Sequence, residues 1–178
     1  SYVYYNRLKV SEKNRIYPSK CDHYGKHRFF LEKYIKSEFD CIIMRIPAVF
    51  AENMRKNFIF DLLHNDFRFL PNCYSTFQFY CADNLMNDFK KCINHKINLI
   101  NCVSQPIAAN EIYKNLLTEE NYFKIINNDI KCSNLEEKHN IFSKHSIYWD
   151  KDLPYLYKKE DILRDLEILK NKIQIKFK

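Results

Sequence analysis

The chain has 178 residues, 46% of them apolar and 16% aromatic, enough for one domain with a sizeable core, which excludes an intrinsically disordered protein. Its formal charge of +7 is scattered, and Asn, Lys, Ile, Tyr and Phe are enriched together as AT-rich coding also produces, so the charge carries little weight as evidence for a nucleic-acid or membrane partner. No apolar run approaches the roughly 18 to 20 residues of a membrane span, and no signal-peptide pattern opens the chain.

Taken in chain order, "SYVYY" is β-rich and predicts the end of a strand, while residues 6–20, polar with Pro18 near their close, predict a loop. From Asp22 the apolar positions Phe29, Phe30, Tyr34 and Ile35, with Leu31 beside them, follow helical spacing. The run Cys41 to Ile46, stopped by Pro47, predicts a strand buried on both faces, as in a parallel sheet. "NFIFDLLHN" predicts a short helix with Phe58, Leu62 and Ile59 inward. "STFQFYCA" alternates Phe77, Phe79 and Cys81 and predicts a strand. "DNLMNDFKKCINH" predicts a helix capped by Asp83 with Leu85, Phe89 and Cys92/Ile93 on its inner face. "INLINCV" predicts another strand and "AANEIYKNLL" a helix. Residues 118–135 read as irregular. The chain closes on a helix with Ile162, Leu163, Leu166 and Leu169 inward and Asp161 and Asp165 outward. Strands alternating with helices, the first 50 residues in the order strand, loop, helix, strand, predict an α/β class.

The seven cysteines (21, 41, 73, 81, 92, 102 and 132) are odd in number, widely spaced and free of any CxxC pair. That pattern predicts buried thiols in a reducing cytoplasm and no structural zinc. The only glycine is Gly25. A phosphate cradle needs several glycines for positive-φ turns and close backbone approach, so no complete dinucleotide or P-loop site lies within these residues. With a first residue, Ser1, placed inside a β-rich stretch, this reads as a piece of a longer protein.

Tyr24 and Arg28 stand at i and i+4 and project from one face of their helix. A phenol serves as general acid or base near neutral pH only where a neighbouring cation favours phenolate. Taken alone, the pair reads as a surface tyrosine above an arginine, in a chain with 13 tyrosines. His23 and His27 form an i, i+4 pair without a third ligand in register, so no metal is expected. Asp61, Asp66, Asp83 and Asp88 are expected at caps and on solvated faces. Aromatics interleaved with Lys also occur in single-strand nucleic-acid binders, but these fall at inward positions, so core packing and no nucleic-acid partner are expected.

The order of these segments resembles the extended short-chain dehydrogenase/reductase family, the NAD-dependent epimerases and dehydratases. "SYVYYNRLKVSE" is similar to that family's strand and V-Y-G turn, "YGKHRFFLEKYI" to its Y-x-x-x-K helix, and "CIIMRIPAVF" to its following strand ending in R-x-P. "MRKNFIFDLL", "FQFYCADNLMNDFKKCI", "INLINCVSQPIAANEI" and "YLYKKEDIL" continue the resemblance in the family's order. It implies a partial Rossmann-type fold, a doubly wound parallel sheet with a small C-terminal substrate-binding region. In this reading residues 1–50 supply later sheet strands and the catalytic helix, and residues 51–178 the substrate-binding region mixed with the last strands.

By position, Tyr24 would be the catalytic acid/base and Ser1 the family's hydroxyl residue. Arg28 stands where the family has a lysine that bonds the nicotinamide ribose; it keeps the charge but is bulkier and cannot lose its proton. Pro47, Ala48 and Val49 would border the nicotinamide of NAD or NADP. Asn53, Asn57 and Phe58 would approach a sugar or nucleotide-sugar substrate, and Gln78 stands near the place of a phosphate-binding arginine. A homodimer through a helix pair including residues 24–36 is a further implication. The alternative is a degenerate, non-catalytic scaffold or assembly partner of the same fold, which Arg28 and the absent turn glycine favour.

Overall fold

The computed structural model describes residues 3–176. Its first half contains β1 (Leu8–Val10), α1 (His23–Glu38), β2 (Ile43–Arg45), β3 (Ala48–Phe50), α2 (Phe58–Leu63), β4 (Thr76–Phe77) and β5 (Phe79–Cys81). The second half adds α3 (Leu85–Asn94), β6 (Leu99–Asn101), β7 (Ile107–Ala108), α4 (Ala109–Leu116), α5 (Glu119–Ile126), β8 (Asn140–Ile141) and α6 (Lys159–Lys176). The class is α/β, with short parallel strand pairs joined through helices in the manner of a Rossmann-like fold.

The strands are short because the chain repeatedly changes partner. β2 runs parallel to β6, Ile43 opposite Leu99 and Arg45 opposite Asn101. Pro47 has no N–H to give the ladder. Beyond it the extended chain resumes as β3 and pairs in parallel with β5 instead, Ala48 opposite Phe79. The predicted strand thus stops before its proline, half-buried and not buried on both faces, and β3 is a further strand beyond the predicted one. "STFQFYCA" is split at Gln78, with β4 antiparallel to β7 and β5 parallel to β3. The Gln78 amide stands in for the missing ladder. It donates to the Ser104 carbonyl at 2.6 Å and the Ile141 carbonyl at 2.8 Å, and accepts from Ile141 N–H at 2.8 Å.

One apolar cluster packs α2, α4 and α6 against β3 and β5 through Ile59, Leu62, Ile112, Ile162 and Leu166. A second gathers Tyr80, Cys92, Ile100, Cys102 and Leu156 beneath α3 and β6. A third joins Val3 and Tyr4 to Val103, Ile141 and Tyr155.

Several sequence expectations need correction. Residues 3–5 are not in a strand, although Val3 and Tyr4 are buried; a turn there feeds them into the third cluster. The expected loop 6–20 contains β1, which pairs in parallel with β8 across a bulge at Lys9. The stretch after Thr118 is not all irregular: the Thr118 hydroxyl caps α5 by accepting from Asn121 N–H. Asp83 sits within a 3-10 turn and makes no cap. On α3 the inner face is Asp88 and Cys92, whereas Leu85, Phe89 and Ile93 are exposed. Phe30 and Tyr34 of α1 likewise point to solvent; the helix rests on the protein through Gly25, Phe29, Glu32 and Ile35.

Candidate active site

The Asp22 carboxylate starts α1 by accepting from Gly25 N–H at 2.6 Å, which sets the phase of the helix. Tyr24, Arg28 and Glu32, at i, i+4 and i+8, then share one face. That face and β2 form the walls of a cleft of about 450 Å³, lined by Tyr24, Arg28, Glu32, Met44, Pro47 and Val49 among others. Four residues expected at a nicotinamide site, Tyr24, Arg28, Pro47 and Val49, thus meet in one place. Ala48, on the opposite side of β3 from Val49, packs against the apolar core instead. Ser1 lies outside the described residues.

Tyr24 is half exposed, and the Arg28 guanidinium carbon lies 5.0 Å from the centroid of its ring. The cation therefore sits against the ring face, a cation–π contact. Beneath it, Arg45 is buried and binds Glu32 through Nε to both carboxylate oxygens at 3.0 and 3.1 Å and through Nη2 at 2.7 Å. Its Nη1 donates to the Tyr4 hydroxyl at 2.7 Å. Burial works against the guanidinium charge, but the bonds to Glu32 and the neighbouring Tyr4 outweigh it and raise the Arg45 pKa. Burial also pushes the Tyr4 phenol above its usual range despite the opposing pull of Arg45, so Tyr4 stays a neutral hydroxyl.

The network continues away from the cleft. Asn101 Nδ2 donates to the Tyr4 hydroxyl at 3.1 Å and to the Phe142 carbonyl at 2.9 Å. Glu12 accepts from Asn101 N–H at 2.6 Å, from the Ser143 hydroxyl at 3.0 Å and from Lys144 N–H at 2.9 Å. A polar spine thus joins α1, β2 and β6 to the loop before α1, and gives the cleft a rigid floor.

The expected substrate residues lie elsewhere or serve the scaffold. Asn53 is exposed. Asn57, at φ 139°, caps α2 by accepting from Phe60 N–H at 3.0 Å while donating to the Val49 carbonyl at 2.8 Å, so it props the cleft strand from behind. Phe58 packs its ring tilted against Phe77 and edge-to-face against Phe79, with centroids 5.4 and 5.7 Å away. Gln78 is buried and committed to backbone. No group of metal-ligating side chains occurs among the described residues.

Sequence reasoning missed two features. Glu32 was findable, because it continues the Tyr24–Arg28 period by one more turn. Asp88 was not. Expected at the surface, it is 1% exposed and accepts from the Tyr80 hydroxyl at 2.7 Å, the Tyr157 hydroxyl at 2.6 Å and Trp149 Nε1 at 2.6 Å. Trp149 and Tyr157 lie 61 and 69 residues away, and Tyr80, eight residues before it, sits on β5 and not on α3, so no helical pattern announces it.

The parallel pairs, the crossover helix and the cleft beside them define a Rossmann-like α/β protein. Solved structures agree. The chain is similar to a dTDP-glucose 4,6-dehydratase from Bacillus anthracis, solved in complex with NAD, with TM-score 0.61 and 12% identity over 94% of this chain and 58% of that one. It is similar to an L-threonine dehydrogenase from Phytophthora infestans, with TM-score 0.59 and 11% identity over 96% and 61% of the two chains. A UDP-N-acetylglucosamine 4-epimerase from Bacillus cereus gives TM-score 0.57 and 14% identity over 95% and 62%. The chain therefore spans about three-fifths of the length of the solved chains it matches, and at these identities the likeness is one of fold. No protein-family model matches the sequence, and no curated protein sequence does.

Proposed function

We propose that this chain is the C-terminal portion of an NAD- or NADP-dependent epimerase, dehydratase or reductase acting on a sugar or nucleotide-sugar. The observation that carries the reading is the meeting of Tyr24, Arg28, Pro47 and Val49 in one cleft beside parallel β2 and β3. The residues present fit the nicotinamide end of such a cofactor: a phenol, a cation and an apolar wall. They do not fit its diphosphate, because Gly25 is buried within α1 and no glycine adopts positive φ. Full cofactor binding would require a complementary segment with a glycine-rich turn.

When bound, the cofactor would supply or accept hydride at a substrate carbon. This chain's part would be the proton: Tyr24 Oη gives it to, or takes it from, the substrate oxygen. Arg28 keeps a fixed positive charge against the Tyr24 ring, at the wall of the same cleft. Arg45 engages Glu32 on both oxygens, so the carboxylate on the Arg28 face already has its cation. α1, with Phe30, Leu31 and Tyr34 exposed, would pair with a second copy.

The test is a fluorescence titration of NADH into the 178-residue chain, expected to give no saturable change. A micromolar dissociation constant would overturn the fragment reading. The placement of the Arg28 guanidinium over the ring, not at the hydroxyl, favours a second reading, a non-catalytic scaffold of the same fold. The longer protein separates them. Hydride transfer that Tyr24→Phe abolishes supports the enzyme; no transfer to any nucleotide-sugar supports the scaffold.

A further inference from the structure

Two thiols far apart in sequence meet at the protein surface: Cys73 Sγ and Cys132 Sγ are 3.7 Å apart. Among the described residues no other pair of cysteines makes such a contact. Cys81, Cys92 and Cys102 are buried, and the Cys21 and Cys41 thiols face the backbone carbonyls of Val3 and Ile35. We propose that Cys73 and Cys132 are a reversible disulfide site, closed by thiol–disulfide exchange with a small anionic disulfide such as oxidised glutathione.

The two backbones are already held in place for that bond. Leu70 and Cys132 form a parallel bridge, and Ser133 N–H donates to the Leu70 carbonyl at 2.8 Å. Asn72 Nδ2 donates to the Ser133 carbonyl at 3.1 Å, closing the same junction from the other side. On the Cys73 side, its carbonyl accepts from Asn110 N–H at 3.1 Å, and the Tyr113 hydroxyl donates to the Pro71 carbonyl at 2.6 Å. α4 thus fixes the loop that carries Cys73, and that loop fixes the strand-like segment carrying Cys132. Closure would bring the two sulfurs from 3.7 Å to the roughly 2.05 Å of a disulfide.

Reagent access is also built in. Cys132 lines an open cleft of about 520 Å³ together with Arg68, Lys131, Ser133 and Glu137. At its rim Lys131 offers a cation to a carboxylate of glutathione, while Arg68 is paired with Asp66 at 2.6 Å and Glu137 lines the cleft as well. Burial, and then the neighbouring Cys73, push the Cys132 thiol up to about 11, so the nucleophilic thiolate is scarce at neutral pH and exchange is slow there. The site would act as a lock that sets under sustained oxidation and not as a rapid redox catalyst.

The chemistry balances without another reactant. Cys132 loses its proton and attacks one sulfur of oxidised glutathione, breaking that S–S bond and releasing one glutathione thiolate. Cys73 loses its proton and attacks Cys132 Sγ in the mixed disulfide, releasing the second. The two thiolates take up the two protons, so two protein thiols are oxidised to one disulfide and one glutathione disulfide is reduced to two thiols. The bond would pin the segment after α5 to the loop before β4 and stiffen the cleft between them.

The experiment incubates the full chain with oxidised glutathione at pH 7 and at pH 9, followed by intact mass, non-reducing peptide mapping and thermal melting. Expected are a loss of about 2 Da for one disulfide, a Cys73–Cys132 cross-linked peptide formed faster at the higher pH, and a rise in Tm that dithiothreitol reverses. In Cys73→Ser and Cys73→Ala the resolving thiol is gone, so a mixed glutathione disulfide at Cys132 should accumulate instead. Circular dichroism confirms that these variants fold. A cross-link between other cysteines overturns the proposal, as does a wild-type adduct at Cys132 that Cys73 never resolves, or no reaction of the native chain at either pH.

Discussion

Removing the Asp88 carboxylate tests whether the buried node under α3 holds the second half of the fold together. The carboxylate accepts three hydrogen bonds, two from tyrosine hydroxyls and one from the indole of Trp149, the only tryptophan. Asp88→Ala leaves all three donors without their acceptor. An orphaned buried donor costs about 1–3 kcal/mol, but Tyr157 and Trp149 are only half-buried and recover part of this by turning to water. The expected net loss is about 3–5 kcal/mol, a large part of the roughly 5–15 kcal/mol by which such domains are stable. Asp88→Asn is the informative control. Its Oδ1 can still accept from the indole, and its Nδ2 can donate to both hydroxyls once they rotate to accept. Charge assistance is lost and each tyrosine O–H proton loses its acceptor, so about 2–3 kcal/mol is expected, less than for Asp88→Ala because the node stays filled and the indole bond is kept. Urea denaturation followed by Trp149 emission measures both, with an unchanged m-value as the check that one transition is being compared. Emission of Asp88→Ala should shift to the red as the indole N–H turns to water. A loss under about 0.5 kcal/mol for Asp88→Ala, the range of a surface substitution, would refute the reasoning, as would equal losses in the two variants.

Other outcomes follow from the same geometry. Glu32→Ala strands the buried Arg45 guanidinium and should cost about 3–5 kcal/mol by chemical denaturation, more than Arg45→Met, which removes the charge as well. Gln78→Leu deprives two carbonyls and one N–H of their partner and should cost about 2–4 kcal/mol; an unchanged midpoint would return Gln78 to the pool of ligand residues. Burial, and then Arg7, lower the His139 pKa to about 4 from an ordinary value near 6.5, so His139 is neutral in the folded state. The unfolded chain binds the extra proton, so stability is full above about pH 6.5 and falls by about 2–3 kcal/mol as pH drops toward 4. His139→Gln should flatten that part of a stability–pH curve, and a curve identical to wild type would show that His139 is not its source.

What the sequence by itself determined was local. The α/β alternation, a helix beginning at Asp22, the shared face of Tyr24 and Arg28, the proline stop after Ile46 and the inner face of α6 all rest on spacings of a few residues. Hydrogen-bond periodicity and backbone sterics write such spacings directly into the chain. A lone glycine likewise rules out a phosphate cradle without any coordinates. Only the tertiary structure decided the rest. Gln78 reads as one more polar strand residue until Ser104 and Ile141 are brought to its amide, and Asp88 reads as a solvated acid until β5 and the 149–157 segment close over it. α3 shows why: its amphipathic pattern points Leu85 and Phe89 inward, yet a carboxylate with three donors is the group that was buried. Apolar burial is non-directional and depends on which surfaces meet, whereas a buried charge persists wherever distant donors satisfy it.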